Sequence, residues 1–183
     1  MTLQRKTPLR SKSALQKKSS LKSKPKSKKE KSKFEVTEIK TKKKLPNKFS
    51  KKKLIEKLDT VFSRYIRIKY SDSRGICKCI SCMTRAPWTE IQNGHYMSRR
   101  YFSTRWAEDN CRPQCVACNI FNQGNIQMYR RGLIKEIGEQ RVDLIEARAR
   151  QESFKYSEFE LNAMLQFYTK EVERIAKEKG ITL

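Results

Sequence analysis

The chain has 183 residues, of which 43 are Lys or Arg and 19 are Asp or Glu, and its formal net charge is +24. An excess of positive charge of this size indicates a polyanionic partner, first nucleic acid and second an anionic membrane surface. A membrane role is disfavoured, because no apolar stretch is long enough to cross a bilayer and the basic region has no amphipathic face.

The first ten residues, MTLQRKTPLR, lack the apolar core that marks a secretory signal. We therefore expect the chain to stay in the cytoplasm, which is a reducing compartment. In such a compartment the six cysteines are expected to hold metal or to stay free rather than to form disulfides.

Residues 1–53 differ in composition from the rest of the chain, with 21 Lys or Arg and three Glu. The scarcity of apolar side chains predicts that this tail is disordered when free and binds phosphates without sequence preference. Leucines recur in it every six residues, at Leu3, Leu9, Leu15 and Leu21. That spacing suits an extended arm lying along a groove, and chance periodicity in a Lys/Ser-rich tail is the alternative.

An amphipathic helix is predicted from Leu54 to Ile68, where apolar residues recur at spacings of three and four and so share one face. The helix ends before Gly75. The next twenty residues are interpreted as a short irregular hairpin, with strands at Ile76–Ile80 and Trp88–Ile91.

Three further helices are predicted. The first runs from near Cys115 to about Arg131 and is stopped by Gly132, and the second is Val142–Arg150. The last opens with the capping-box pattern Ser157–Glu160 and has Gly180 as its C-cap. The apolar stripe of this last helix fits either packing on the core or dimerisation.

Two Cys-x₂-Cys pairs separated by 32 residues indicate one structural Zn²⁺. The two-residue spacer within each pair lets one tight turn present two thiolates, and two such turns complete a tetrahedral shell. Two other cysteines, Cys77 and Cys111, lie near the pairs, and either could replace a ligand. We interpret both as spectators, because their spacing from the pairs is a poor chelating geometry. The predicted ligands are Cys79, Cys82, Cys115 and Cys118.

The only histidine, His95, lies between the two cysteine pairs, just after the second predicted strand. A neutral imidazole can accept a proton from a water that attacks a phosphodiester. The charge that develops needs a divalent cation, which prefers amide or carboxylate oxygens as ligands. Asn110 lies in the following loop, and Asn119 comes directly after the last cysteine of the second pair. This order of strand, histidine, loop and helix predicts metal-dependent phosphodiester cleavage.

Arginines surround this unit. A guanidinium can clamp a phosphate through two parallel hydrogen bonds, so these side chains are predicted to contact nucleic acid, and solvated loop charges are the alternative. The candidates are Arg99, Arg100, Arg105 and Arg112.

Taken together, these motifs resemble the phage NinG family, also called Rap. The resemblance covers about residues 54–145 and extends to the Lys-rich N-terminal region. It implies a structure-specific endonuclease of phage recombination that acts on branched DNA, such as Holliday junctions and D-loops, in the cytoplasm of the bacterial host. The matching positions are Cys79–Cys82, Gly94–Tyr96, Arg99–Arg100, Thr104–Trp106, Asn110, Gln114–Cys115, Cys118–Asn119, Gly124–Asn125 and Tyr129–Arg130.

The same region is similar to the ββα-metal, or HNH, nucleases and to the phage resolvase endonuclease VII. This similarity implies that His95 is the general base, that Asn110 orients it and that Asn119 binds a catalytic Mg²⁺ or Mn²⁺. Many members have Asp immediately before the histidine, where this chain has Gly94. Three residues are candidates for the missing oxygen ligand: Asn93, Asn122 and Glu90.

We therefore predict a mostly helical α+β fold with a zinc-stabilised ββα-metal (HNH-like) core, flanking helices and a disordered basic tail. The expected divisions are the tail at 1–53, a nuclease domain at 54–150 and a C-terminal helix within 151–183. Two other functions stay open: a non-catalytic zinc module that binds DNA or RNA as a recombination or packaging accessory, and a translation-associated RNA-binding protein. A homodimer is also an option, because resolving a junction requires two incisions.

Overall fold

The computed structural model of the chain describes residues 50–151 and 154–183. The leucine repeat and nearly all of the predicted tail lie outside the described residues. The described part is a mostly helical α+β fold with two small sheets, which confirms the predicted class. None of its helices is long and apolar enough to cross a membrane. The elements are α1 (Lys51–Lys69), β1 (Ile76–Lys78), β2 (Arg85–Pro87), β3 (Gln92–His95), β4 (Cys111–Gln114), α2 (Ile126–Ile137), α3 (Glu139–Ala149) and α4 (Glu158–Lys179).

The larger hydrophobic core is formed mainly by α1 and α4, whose apolar stripes face each other. The Phe62 ring meets the Tyr168 ring edge-on at a centroid distance of 4.8 Å, and Tyr65 lies 4.9 Å from the same ring. Leu161 and Val172 of α4 are buried in this core as well. Of the two roles considered for the last helix, the structure shows packing on the core.

The ends of these two helices follow from local sequence. At the start of α4, Ser157 and Glu160 form the predicted capping box, and Gly180 ends the helix in the left-handed conformation with φ of 67°. Both predictions are confirmed. Helix α1 starts at Lys51, so it includes the last three residues of the predicted tail.

The four strands form two separate antiparallel pairs, β1 with β2 and β3 with β4. The strand predicted at Trp88–Ile91 is wrong, because these residues form the turn between β2 and β3. Their apolar side chains pack the turn instead: Ile91 is buried, and the Arg67 guanidinium lies 5.6 Å from the centre of the Trp88 ring. Strand β4 was not predicted.

The single helix predicted from Cys115 to Arg131 is in fact two segments. A π-helical turn at Ala117–Phe121 is followed by three residues with positive φ, ending at Asn125, and α2 begins after them. Helix α2 then passes through Gly132 and ends at Gly138. A Cβ on Gly132 would lie 2.6 Å from the Ile80 carbonyl oxygen, so this glycine permits close packing of the helix and does not stop it.

Candidate functional site

The four cysteines of the two Cys-x₂-Cys pairs come together in the structure. Their Sγ atoms all lie within 4.8 Å of one another, and those of Cys82 and Cys115 are 3.6 Å apart. Tetrahedral zinc with Zn–S bonds of about 2.3 Å separates its sulfur ligands by roughly 3.8 Å, so the cluster has the dimensions of a zinc site. Cys79 and Cys118 are buried, whereas Cys82 is exposed. The cluster could therefore hold a metal such as zinc, and the predicted ligand set is the one that the fold assembles.

Each pair is shaped by a short turn. In the first, the Met83 N–H donates to the Cys79 carbonyl at 2.9 Å, and Met83 has a positive φ of 66°. In the second, the Asn119 N–H donates to the Cys115 carbonyl at 2.9 Å. The same turn that presents the second pair of thiols therefore fixes the position of Asn119.

Cys77 and Cys111 are buried in the core and lie outside the four-cysteine cluster. The Cys77 thiol donates to the Arg67 carbonyl at 3.0 Å. Burial raises the pKa of both thiols. Their surroundings thus favour neutral packing groups over metal ligands, in line with the spectator interpretation.

Gln114, a residue that sequence reasoning passed over, connects the two halves of the cluster. Its side chain is fully buried, and its Nε2 donates to Ser81 Oγ at 2.8 Å and to the Gly124 carbonyl at 2.6 Å. Ser81 lies inside the first cysteine turn, and Gly124 lies in the loop after the second. The only available signal was its place in the Gln114–Cys115 motif, which gave no indication of this role.

His95 lies at the end of β3, opposite Cys111 of β4. Its Nε2 is 3.1 Å from the Arg105 carbonyl oxygen. Because a carbonyl can only accept a hydrogen bond, this contact assigns the proton to Nε2 and leaves the lone pair on Nδ1. Burial, followed by the positive charge of Arg99, lowers the pKa of His95 to about 4. The imidazole is therefore neutral at pH 7, although contacts with the backbone carbonyls of Arg105 and Asn93 act in the opposite direction on its pKa.

His95 and Asn119 line the same cleft, which has a volume of 740 Å³. The Asn119 Nδ2 donates to Gln92 Oε1 at 2.6 Å. This hydrogen bond fixes the orientation of the amide and leaves its carbonyl oxygen as the atom that could bind a cation. The structure thus brings together the predicted base and the predicted metal ligand, which are 24 positions apart in the sequence.

Asn93 also lines this cleft. It lies two positions before His95 on β3, so the two side chains share one face of the strand. The Asn93 side chain is buried, and its Oδ1 has no hydrogen-bond partner among the described residues. A buried amide oxygen without a partner is costly unless something binds it. Of the other two candidates for the missing ligand, Glu90 lines the cleft and Asn122 is not among the lining residues.

Gly94 faces away from the cleft, on the other side of β3. A Cβ at this position would lie 2.5 Å from Gln114 Oε1 and 3.0 Å from the Tyr129 ring. An aspartate here would therefore collide with the interior and could not reach a cation beside His95. The glycine is a packing requirement of this chain, and any oxygen ligand in the cleft has to come from other positions.

Asn110 acts on the loop that follows His95 and not on the imidazole itself. It is fully buried, its Oδ1 accepts from the Met97 N–H at 2.7 Å, and its Nδ2 donates to the carbonyls of Met97 and Thr104 at 3.0 Å. This loop leads to Arg105, whose carbonyl accepts the His95 hydrogen bond. Any influence of Asn110 on the orientation of His95 is therefore indirect.

Two of the four candidate arginines are internal. Arg105 makes two hydrogen bonds to the Asp59 carboxylate, at 3.0 Å and 2.5 Å, and Arg112 bonds Glu136 at 2.6 Å with a side chain only 4% exposed. Asp59 also accepts from the indole of Trp106 at 2.9 Å. These two guanidiniums are engaged in ion pairs with carboxylates of the fold, and the prediction that they contact phosphate stays a prediction.

The other two candidate arginines are exposed. Arg99 lines the His95 cleft. Arg100 stacks on the Tyr101 ring, with its guanidinium carbon 4.9 Å from the ring centre. These two side chains are available to a polyanion near the cleft.

Comparison with known proteins gives the family. A family model described as "Bacteriophage Lambda NinG protein" matches residues 3–178 of the chain. The ninG proteins of Escherichia phage lambda, Escherichia phage 933W and Salmonella phage P22 are each 42% identical to it over 72 residues, which are 38% of this chain. The match spans about a third (34%) of the length of these curated relatives. No solved structure matches significantly. Because the family model covers nearly the whole chain, the protein belongs to the NinG family of bacteriophage proteins.

Proposed function

We propose that this protein is a metal-dependent endonuclease that cleaves branched DNA. The observation that carries the proposal is that His95, whose Nε2 lies 3.1 Å from the Arg105 carbonyl oxygen, lines one cleft together with two asparagines. These are Asn119, whose amide donates to Gln92, and Asn93, whose Oδ1 has no hydrogen-bond partner among the described residues. A base beside potential cation ligands is the minimum equipment for hydrolysis of a phosphodiester.

In the proposed reaction, His95 Nδ1 takes a proton from a water molecule, and the resulting hydroxide attacks phosphorus as the bond to the leaving oxygen breaks. The Arg105 carbonyl holds the ring in the required tautomer and stabilises the imidazolium that forms. Asn93 and Asn119 would hold a Mg²⁺ or Mn²⁺ ion, which supplies charge stabilisation for the phosphate and the leaving oxygen. Arg99 lies where it can bind a phosphate oxygen beside the site.

The charge of the chain also supports a nucleic-acid substrate. The chain carries a net charge of +24, which favours binding to a phosphate backbone. The preference for branched DNA, including Holliday junctions and D-loops, is part of the proposal on the basis of family resemblance. The four-cysteine cluster fixes Asn119 and, through Gln114, the β3–β4 pair, so it would act as the structural support of the cleft.

The rival function is a zinc-containing module that binds DNA or RNA without cutting it. The specific observation in its favour is Gly94, which cannot supply the carboxylate that many HNH nucleases place before the histidine. Binding alone would require only the cysteine cluster, the exposed arginines and the tail.

A nicking assay on a four-way DNA junction separates the two functions. The zinc-loaded protein is incubated with the junction in Mg²⁺, in Mn²⁺ and without an added divalent cation. Incision that requires an added cation is the expected result. Tight junction binding without incision under any of these conditions would favour the non-catalytic module.

A further inference from the structure

A second cavity, of 760 Å³, shares no lining residue with the His95 cleft. It lies between the start of α1, the loop after β3, the end of α3 and the residues that precede α4. Four aromatic side chains line it: Tyr101, Phe102, Phe154 and Tyr156. Four basic side chains also line it: Lys51, Arg100, Arg150 and Lys155. No carboxylate belongs to its described lining.

The aromatic wall of this cavity, hereafter the aromatic pocket, is anchored in the core. Tyr156 meets the buried Trp106 ring at a centroid distance of 5.4 Å and Phe154 at 4.8 Å, both edge-on. Phe102 meets Trp106 at 5.8 Å. Phe154 lines the pocket and is 39% exposed. Rings braced in this way can accept another flat group without losing much conformational freedom.

The basic side chains of the aromatic pocket are exposed, and two of them are held by aromatic residues of its wall. Lys51 Nζ donates to the Tyr156 carbonyl at 2.6 Å, and Arg100 donates to the Tyr101 hydroxyl at 2.9 Å. Arg150 lies 3.8 Å from the Glu146 carboxylate, an exposed pair that contributes little. The pocket therefore combines stacking surface with a surplus of positive charge.

We propose that the aromatic pocket binds one unpaired base of a DNA substrate, with the flanking phosphates on the basic side chains. Stacking on aromatic rings and attraction of the backbone to cations are the two interactions by which proteins hold unpaired nucleotides. A base inside a regular duplex is stacked on its neighbours and cannot enter such a cavity. The substrate class, an unpaired nucleotide at a branch point of DNA, rests on the proposed function.

One loop joins the aromatic pocket to the His95 cleft. Arg99 lines the cleft, and the next three residues, beginning with Arg100, line the pocket. The loop is braced on α3, because Ser103 Oγ donates to the Arg148 carbonyl at 2.7 Å and the Arg148 side chain donates back to the Ser103 carbonyl at 3.1 Å. A base held in the pocket would thus place the neighbouring strand beside the cleft, which gives a physical origin for preference for branched substrates.

The test uses the full-length, zinc-loaded protein without an added divalent cation, so that binding is measured apart from cleavage. The probe is a DNA duplex with a single unpaired 2-aminopurine. The control is the same duplex in which that base is paired. Stacking quenches the fluorescence of this base, so we expect quenching of the unpaired base only. Phe154→Ala should abolish the quenching and weaken binding of the unpaired probe about tenfold, while affinity for the paired duplex stays unchanged.

Two variants control for loss of structure. Phe154→Tyr keeps a ring and should retain the quenching, and Phe159→Ala removes an aromatic side chain that is 83% exposed outside the pocket and should also retain it. Absence of quenching by the wild-type protein, or full quenching by Phe154→Ala, would overturn the proposal. Tighter binding of an equivalent RNA probe would overturn the assignment to DNA. The fluorescence assay measures binding and does not depend on cleavage. A protein that quenches the unpaired base but does not cut the junction in the nicking assay would therefore refute the nuclease function and still support base binding by the pocket.

Discussion

At the scale of single residues, two neighbours on β3 explain how this chain can lack an acidic residue beside its histidine. Asn93 shares the face of His95 and has a buried oxygen without a partner. Gly94 points the other way, into Gln114 and Tyr129. Under the proposed function, alternation along the strand would make Asn93 the cation ligand, and it gives Gly94 the packing requirement.

This alternation predicts opposite outcomes for the same change at adjacent positions. Asn93→Asp places a carboxylate in the cleft and should increase the affinity for Mn²⁺ by roughly tenfold or more. Gly94→Asp forces a side chain against Gln114 and should lower the free energy of unfolding by about 1–3 kcal/mol. Calorimetric titration with Mn²⁺ and urea unfolding, both on zinc-loaded protein, measure the two effects. Unchanged Mn²⁺ affinity in the first variant, or wild-type stability in the second, would refute this assignment.

At the scale of elements, the turns of the cysteine cluster are hydrogen-bonded to residues of the segments that form the cleft. One cysteine turn lies beyond β1 and the other after β4, and Gln114 ties the first to the loop before α2. The β3–β4 pair that carries His95 is short, and an isolated two-stranded pair is marginally stable in water. Metal binding at the cluster would therefore couple directly to the order of the cleft.

The cluster predicts a clear division among the cysteines. Cys115→Ser should lose bound zinc, because oxygen is a poor replacement for a thiolate in such a site. Cys77→Ser should keep one zinc per chain, because Cys77 lies outside the cluster and serine can still donate to the Arg67 carbonyl. Atomic absorption on purified variants measures this. Loss of zinc from Cys77→Ser together with its retention by Cys115→Ser would contradict the ligand set.

The sequence predicted those parts of the fold that depend on residues close to one another in the chain. The stripe of α1, the Ser157 capping box and the Cys-x₂-Cys turns follow from spacing alone, and all were predicted. Packing between distant segments was not visible. Gly132 was predicted to stop a helix, but it lies within α2. A glycine is needed there because the Ile80 carbonyl lies too close to leave room for a Cβ.

In the candidate site, too, some residues could be predicted from the sequence and others depend on packing between distant segments. His95 and Asn119 were identified from residue type and family resemblance. Asn93 was one of three candidates for the missing oxygen ligand, and spacing alone could not choose among them. The roles of Gln114 and Asp59 were not predicted, because each depends on the direction in which a side chain points from its helix or strand. Arg112 was assigned to phosphate because an arginine bound to Glu136 inside the fold looks the same in sequence as an exposed one.

At the scale of the whole molecule, positive charge is concentrated at one end of the sequence. Residues 1–49 contain 18 Lys or Arg and three Glu. Helix α1 begins at Lys51, and this residue bonds the Tyr156 carbonyl, so a truncation that keeps the fold has to end before it.

Deletion of residues 1–49 should therefore weaken DNA binding and flatten its dependence on salt, because fewer counterions are released from the phosphate backbone. The measurement is the slope of log affinity against log salt concentration for a DNA junction, in full-length and truncated protein. Circular dichroism on the same samples checks that the helices are retained. Equal slopes would show that the tail does not contact DNA.

The catalytic role of His95 is the claim on which the proposed function depends. Its most direct test is the single-turnover rate of four-way junction cleavage in Mg²⁺ by the wild-type protein and by His95→Gln, which keeps a side-chain N–H for the Arg105 carbonyl but has no imidazole. We predict a loss of at least about 100-fold in rate, within the range for removal of a general base, with zinc content and junction affinity unchanged. Cleavage by His95→Gln within a few-fold of the wild-type rate would contradict the account.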